Sequence, residues 1–444
     1  MNNFKAFFIL VFLINCSKNI ETNLPLKFSF DSEFKIVNTY GGSNEDIAHA
    51  IIKTYDGGFA VIGNTKSNDI DLNFRTTNDS DVLFLKFKPD LELDYIKTYG
   101  GSDDDRGYDL VQLEDRGFIL LGYSKSSDGD VSLNKGQHDN WVIRIDQKGK
   151  IIWEKSFGFS GHDHAYNIIS TKDGGFFFNG FLDVTASNGL GMTKKNMKIS
   201  KKHGVGEFWC HKIDKDGNLQ WRKYFGGTNN DRSYDAIQTL EGDFIIVGTS
   251  ESNDFEISNS KGSYDMWVIK LDNNGNLIWE KSFGGKGYDG GNAVIENSYG
   301  NIMILGQTNS LDNDITDPLG SSDFFLVNMT KKGEILNIEN LGTSNFDSGK
   351  SIMELDDGSH YLLGHTTDIS SVDGNLGSDI LFIKTLPNGV FIENQKVGGS
   401  GTDIGYDFTQ ISDGSIIIVG STDSEDGIFS KNNGKEDVFI IKWN

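Results

Sequence analysis

A glycine-marked turn returns seven times along the chain, at Gly41, Gly100, Gly158, Gly226, Gly284, Leu341-Gly342 and Gly398, with gaps of 59, 58, 68, 58, 57 and 57 residues. A fixed period of this kind means one supersecondary unit repeated, each copy burying its apolar faces against its neighbours. The unit from Gly100 to Gly158 carries four phrases: Tyr108–Leu113, Gly117–Gly122, Trp141–Asp146 and Lys150–Phe157. Each is short and rich in β-branched or aromatic residues, so each predicts a strand. Between them lie turns such as Asp56–Gly58, Asp115–Gly117, Asp173–Gly175, Asn274-Gly275 and Pro387–Gly389. Such turns suit hairpin connections. No stretch after the first residues keeps an apolar helical stripe for three turns.

Four strands per unit, seven times over, predicts an all-β fold: a seven-bladed β-propeller of four-stranded antiparallel blades. The chain ends test closure. The last unit stops at its third strand, Asp437–Trp443, while Phe34–Tyr40 at the front matches the fourth-strand phrase Leu93–Tyr99. The N-terminal strand is therefore expected to complete the last blade and close the ring, removing an open sheet edge. Composition fits, with 53 Gly, 31 Phe, 14 Tyr and 7 Trp but only 4 Pro among 444 residues. One propeller over residues 26–444 thus overrides the several domains that length alone suggests.

Residues 1–15 have one basic residue, Lys5, and an apolar run Ala6–Ile14, too short for a bilayer span and suited to a signal peptide. Leu13–Cys16 resembles the lipobox of bacterial lipoproteins. That resemblance implies cleavage before Cys16, its acylation (palmitate among the chains), and residues 16–25 as a lipidated tether. It places the chain at the cell envelope, in the outer membrane. Cys210 lies on a third-strand phrase and is expected to be a buried, inert thiol. Lys and Arg number 41 against 64 Asp and Glu, a net charge of −23. Nucleic acid is excluded as a partner on that balance. An insertion over 183–206 accounts for the 68-residue gap and carries Lys194, Lys195, Lys198, Lys201, Lys202 and His203, a candidate binding loop.

The phrases Gly100–Asp109, Asp115–Gly122 and Asp139–Gly149 together resemble the bacterial SBBP-type beta-propeller repeat, over about nine tenths of the chain. The likeness implies an exported or surface propeller and no particular chemistry. Gly149–Trp153, Gly217–Trp221 and Gly275–Trp279 also resemble quinoprotein propellers. The adjacent cysteine pair and cofactor residues of those dehydrogenases are absent, so that activity is not carried over.

Three recurring constellations stand out. An Asp follows each glycine turn, at Asp46, Asp105, Asp163, Asp231, Asp289, Asp347 and Asp403. It suits either an acidic ring at the channel mouth or, the expectation here, a turn-fixing acceptor. Alternating oxygen side chains between strands two and three resemble a hard-cation loop and make calcium the candidate metal. They are Asp128, Asp130, Ser132, Asn134 and Asp139 in blade 2, Asp254, Glu256 and Asp265 in blade 4, and Asp312, Asp314 and Asp323 in blade 5. Trp141, Trp209 and Trp267 share one strand position and Trp153, Trp221 and Trp279 another, a pattern expected of inter-blade packing. His162 and His164 flank Asp163 with no further ligand near in sequence, and no nucleophile motif appears. The resulting expectation is a non-enzymatic binding scaffold with an envelope protein or glycan as partner. The alternative is a glycan-active enzyme or glycan-binding protein using the axial face.

Overall fold

The repeated phrases fold as strands of seven to nine residues, and these assemble into seven antiparallel sheets of four. The computed structural model describes residues 34–192, 203–369 and 377–443. The chain divides into Met1–Ser32 and Glu33–Asn444. The leader, Cys16, the whole tether and residues 193–202, which hold Lys194, Lys195, Lys198, Lys201 and Lys202, lie outside the described residues. Among the described residues the one helical element is a 3-10 turn, Ile70–Leu72, and no helix is long and apolar enough to cross a membrane.

Blade 1 is a meander of Asp46–Lys53, Phe59–Thr65, Asp81–Phe87 and Leu93–Tyr99, running outward from the axis. Five further blades repeat it. Blade 7 has the order Phe34–Tyr40, Asp437–Trp443, Ile416–Thr422, Asp403–Gln410, so the first described strand is the outer strand of the last blade. Phe34 pairs with Trp443 and Tyr40 with Val438, and the Phe34 ring stacks on Trp443 at 5.3 Å. The ring is closed as the repeat pattern predicts.

Second and third strands lose their period-two alternation because each blade is covered on both faces. Every residue of Phe118–Ser124 and of Asp139–Ile145 is buried. The core accordingly lies between blades: Phe177, Phe208 and Cys210 of blade 3 pack with Phe244, Ile246 and Trp267 of blade 4. Cys210 is a free, buried thiol whose pKa burial pushes up. The tryptophans serve packing, as expected. Trp141, Trp209 and Trp267 are fully buried. Trp221 and Trp279 reach outward and donate to Asn273 and Lys331 carbonyls in the turns of the next blade.

All seven innermost strands carry a β-bulge at the same place, where one residue has no partner on the second strand: His49, Tyr108, Tyr166, Tyr234, Asn292, Lys350 and Tyr406. A bulge bends its strand and re-aims a side chain. Opposite each bulge the second strand has glycine: Gly63, Gly122, Gly180, Gly248, Gly306, Gly364 or Gly420. A Cβ at Gly248 would stand 1.9 Å from the Arg232 carbonyl oxygen, and the other six meet backbone oxygen at 1.7 to 2.0 Å. The glycine that ends each second-strand phrase is thus the space the bulge needs. Backbone cannot yield as a side-chain tip does, so Gly248→Ala is expected to cost about 3 kcal/mol, the upper end for forced overpacking. Chemical denaturation checks this, and an unchanged midpoint would separate glycine from bulge.

Candidate functional site: the axial cavity

The seven bulged residues converge on the propeller axis. With Tyr288 and Gln307 they line a cavity of about 510 Å³. The lining is not sevenfold. Tyr406, His49, Tyr108, Tyr166 and Tyr234 form an unbroken aromatic arc, with successive ring centroids 5.4, 4.5, 5.0 and 5.5 Å apart. Blades 5 and 6 interrupt it with Asn292 and Lys350. Burial lowers the His49 pKa to about 4, and His49 Nε2 lies 2.9 Å from Asn64 Oδ1, so the ring is neutral at pH 7. Burial also lowers Lys350 to about 8 and raises Tyr406 to about 12. Tyr406 therefore keeps its proton, and the cavity offers flat apolar faces edged by hydroxyl, amide and ammonium donors.

One residue past the bulge, blades 2, 4 and 7 place Asp109, Asp235 and Asp407 beneath this ring. Each carboxylate reaches the next blade. Asp109 accepts from the Ile168 N–H at 2.8 Å, Asp235 from Val294 at 2.7 Å, and Asp407 from Ile51 at 2.9 Å across the closure seam. Their second oxygens are also taken, by Leu110 N–H, Ala236 N–H and Ser351 Oγ. Burial dominates their electrostatics: Asp235 rises to about 7, Asp407 to about 6, and Asp109 well above its ordinary value, with repulsion from Asp407 adding to the rise of Asp235 and Asp109.

The Asp after each glycine turn fixes that turn, as expected. All seven are fully buried, and each accepts the backbone N–H four residues earlier, as from Gly42 to Asp46 at 2.8 Å and Gly101 to Asp105 at 2.7 Å. In most blades hydroxyls at or just past the end of the second strand add bonds, such as Ser67 to Asp46 and Ser126 to Asp105, both at 2.7 Å. The turn glycine fits between that Asp and the acid opening the previous blade's third strand. A Cβ at Gly100 would meet Asp105 Oδ2 at 2.7 Å and Asp81 Oδ1 at 2.2 Å.

The candidate calcium residues are distributed over these junctions rather than gathered along one loop. In blade 2, Asp128 and Asp130 turn to the N–H groups of Ser102 and Gly100 in their own glycine turn. Asn134 accepts from Gly136 and donates to the Ser124 carbonyl, and the Ser132 N–H donates to Glu154. Asp139 accepts from Lys135 N–H and flanks Gly158 of blade 3. Blade 4 repeats the pattern: Asp254 accepts from Thr228, Asp265 from Lys261, and the Glu256 carboxyl rises by burial and by nearby Asp231. In blade 5, Asp312 accepts from Lys286, Asp314 from Gly284, and Asp323 from Leu319 and Gly320. Of the six candidate binding residues in the 183–206 insertion only His203 is described, with Nδ1 3.2 Å from Glu207 Oε2. His162 and His164 do gain a further ligand-bearing neighbour, His138 of blade 2, against expectation. Its 24-residue separation from His162 hid the relation.

No protein-family model matches the sequence, and no curated protein is similar to it. Similar solved structures include a puromycin hydrolase (8% identity, TM-score 0.50, covering 86% of this chain and 51% of that one). The Pan2 WD40 domain of Neurospora crassa is 10% identical (TM-score 0.47; 93% and 96% covered). A protein of unknown function from Bacteroides caccae is 8% identical (TM-score 0.39; 73% and 93% covered). The likeness is one of fold, a β-propeller, which enzymes and WD40 domains share.

The axial acids make stability depend on pH. A carboxyl with a raised folded pKa binds more protons folded than unfolded, so its contribution is complete below the unfolded value and is lost as pH rises through the folded one. For Asp235 and Asp407 that loss begins above the ordinary carboxyl value of 3.8 and is complete only once pH has passed their folded values of about 7 and about 6. The buried histidines have lowered pKa values and act oppositely, but only below about pH 6.5, their unfolded value. Melting temperature is therefore expected to fall by a few degrees between pH 6.5 and pH 8, and Asp235→Asn to flatten that fall. A flat wild-type profile contradicts the burial of these charges.

Proposed function

We propose that this protein is an exported, lipid-anchored propeller of SBBP-type repeats that binds glycan in its axial cavity without transforming it. The observation that carries the binding role is the asymmetric lining. At the bulged position five adjacent blades contribute rings, whereas Asn292 and Lys350 there, with Gln307 and Tyr288 of blade 5, supply polar groups on the remaining arc. A polyhydroxylated ligand needs both: apolar faces for its C–H surfaces and fixed donors for its oxygens. The cavity volume lies within the ordinary range for small-ligand sites. Hydrolysis at the same place is the weaker reading, because a glycosidase needs two carboxyl groups free to meet the scissile bond. Here both oxygens of Asp109, Asp235 and Asp407 are already committed to holding blades together.

The anchor rests on the lipobox-like Leu13–Cys16 and the short polar segment after it. Several acyl chains on Cys16 hold a protein at a membrane, whereas one gives marginal binding. Mass spectrometry of the mature N-terminus is expected to find acylated Cys16, and an unmodified or different N-terminus removes the anchor. For the ligand, calorimetric titration with envelope-derived oligosaccharides is expected to show binding that Tyr234→Ala and Lys350→Met each weaken at least tenfold. Turnover of the sugar would transfer the site to catalysis. No binding to any oligosaccharide, or affinity equal in the variants, would reject a glycan at the axis.

A further inference from the structure

We propose that His138, His162 and His164 form a binding site for a divalent transition metal of the zinc class at the junction of blades 2 and 3. His138 immediately precedes the third strand of blade 2, Asp139–Ile145, and His162 and His164 bracket Asp163 where the innermost strand of blade 3 begins. One ring nitrogen from each histidine lies within 4.8 Å of the other two. His138 Nδ1 is 2.7 Å from His162 Nδ1 and 3.3 Å from His164 Nε2. Ligand atoms of a tetrahedral ion with bonds of about 2.0–2.1 Å stand about 3.3 Å apart, so small ring movements accommodate the ion.

The backbone holds this arrangement in place. His138 and His162 form a parallel bridge, and the Asp163 N–H donates to the His138 carbonyl at 2.9 Å. Between them Asp163 is fully buried and accepts from Phe159 at 2.7 Å and Asp183 at 3.0 Å. The bridge itself does not need histidine. In three other junctions the same pairing is Tyr264 with Tyr288, Ser322 with Phe346, and Ser378 with Thr402. Histidine at these positions is thus particular to this junction.

The surroundings complete a metal centre. Asp104 Oδ2 stands 3.5 Å from His138 Nε2, and the Asp104 carboxylate is itself held by Arg106 Nε at 2.9 Å. A carboxylate behind a histidine fixes its ring and aims the other nitrogen at the ion. His164 stacks on Tyr123 at 3.9 Å and turns Nδ1 to the Tyr166 hydroxyl at 3.3 Å, leaving Nε2 toward His138. Imidazole nitrogen alone selects zinc, copper or nickel over calcium and magnesium. Three protein ligands leave a fourth position for water or a ligand group. His162 is exposed and gives the ion a way in, while Tyr166 also lines the axial cavity, so the centre stands at the rim of that cavity.

The full chain, freed of any polyhistidine tag and stripped with chelator, tests this by titration with zinc chloride and by the visible spectrum of the cobalt(II) form. One zinc per chain is expected, with a zinc-dependent rise in melting temperature, tetrahedral cobalt absorption and no displacement by excess calcium. His162→Gln changes an exposed residue and leaves metal-free melting unchanged; it is expected to weaken zinc at least tenfold, as is His164→Gln. Asp104→Asn is expected to weaken it about tenfold while retaining one ion per chain. Absence of zinc binding, wild-type affinity in both histidine variants, or displacement by calcium overturns the site.

Discussion

Each junction of the ring depends on a carboxylate that has exchanged water for backbone N–H groups. The Asp that begins an innermost strand is fully buried, yet it accepts the N–H four residues before it and, in most blades, hydroxyls at or just past the end of the strand beside it. A buried charge or polar group of this kind is tolerated only while its partners stay in place. It therefore ties the path of the turn, the start of the strand and the next blade's position to one another. The turn glycines follow from it, because a side chain there would occupy the space of the carboxylate oxygens. Buried acids of neighbouring blades lie close enough to raise each other's pKa, as with Asp437 and Asp46 or Asp163 and Asp139. The scaffold accordingly carries much of its negative charge inside its joints as well as on its surface.

A second rule governs the axis. The bulge is present in every blade, whereas the residue it presents varies. Architecture and recognition are thereby separated along a single strand: glycine on the second strand secures the geometry, and the bulged position is free to change. His49, Asn292 and Lys350 are the blades in which that freedom departs from tyrosine. The three acids one residue deeper serve the scaffold again, bridging blade 2 to 3, 4 to 5 and 7 to 1.

Blade number, strand content and ring closure were legible in the sequence because they are periodic, and a period survives without knowledge of contacts. The turn role of Asp46 and its equivalents was legible for the same reason, as was the packing role of Trp141 and Trp267. The axial cavity was not. Tyr108 sits in an ordinary strand phrase, and nothing local distinguishes a bulged residue from its paired neighbours. Comparing repeats at that single position, with the invariant glycine as a ruler, is the signal that exposes it. The histidine cluster was illegible for another reason. His138 belongs to the end of one unit and His162 to the start of the next, so their meeting is a property of blade adjacency. The loop oxygens of blade 2 were read as one set, but a loop lying between two blades serves both. Asp130 faces its own turn and Asp139 the following one.

The seam between Phe34–Tyr40 and Asp437–Trp443 pairs residues from Tyr40 with Val438 to Phe34 with Trp443, across almost the whole described chain. During synthesis the first of these strands is made before the six other blades and has no partner until the third strand of the last blade follows them. Six blades can fold in order while it waits, with the face of blade 1 that packs on blade 7 uncovered and aggregation-prone. Completion is then a late, long-range event of the kind that slows folding. A chaperone that shields that early strand until the last blade is made would act on the step that the closed ring defers.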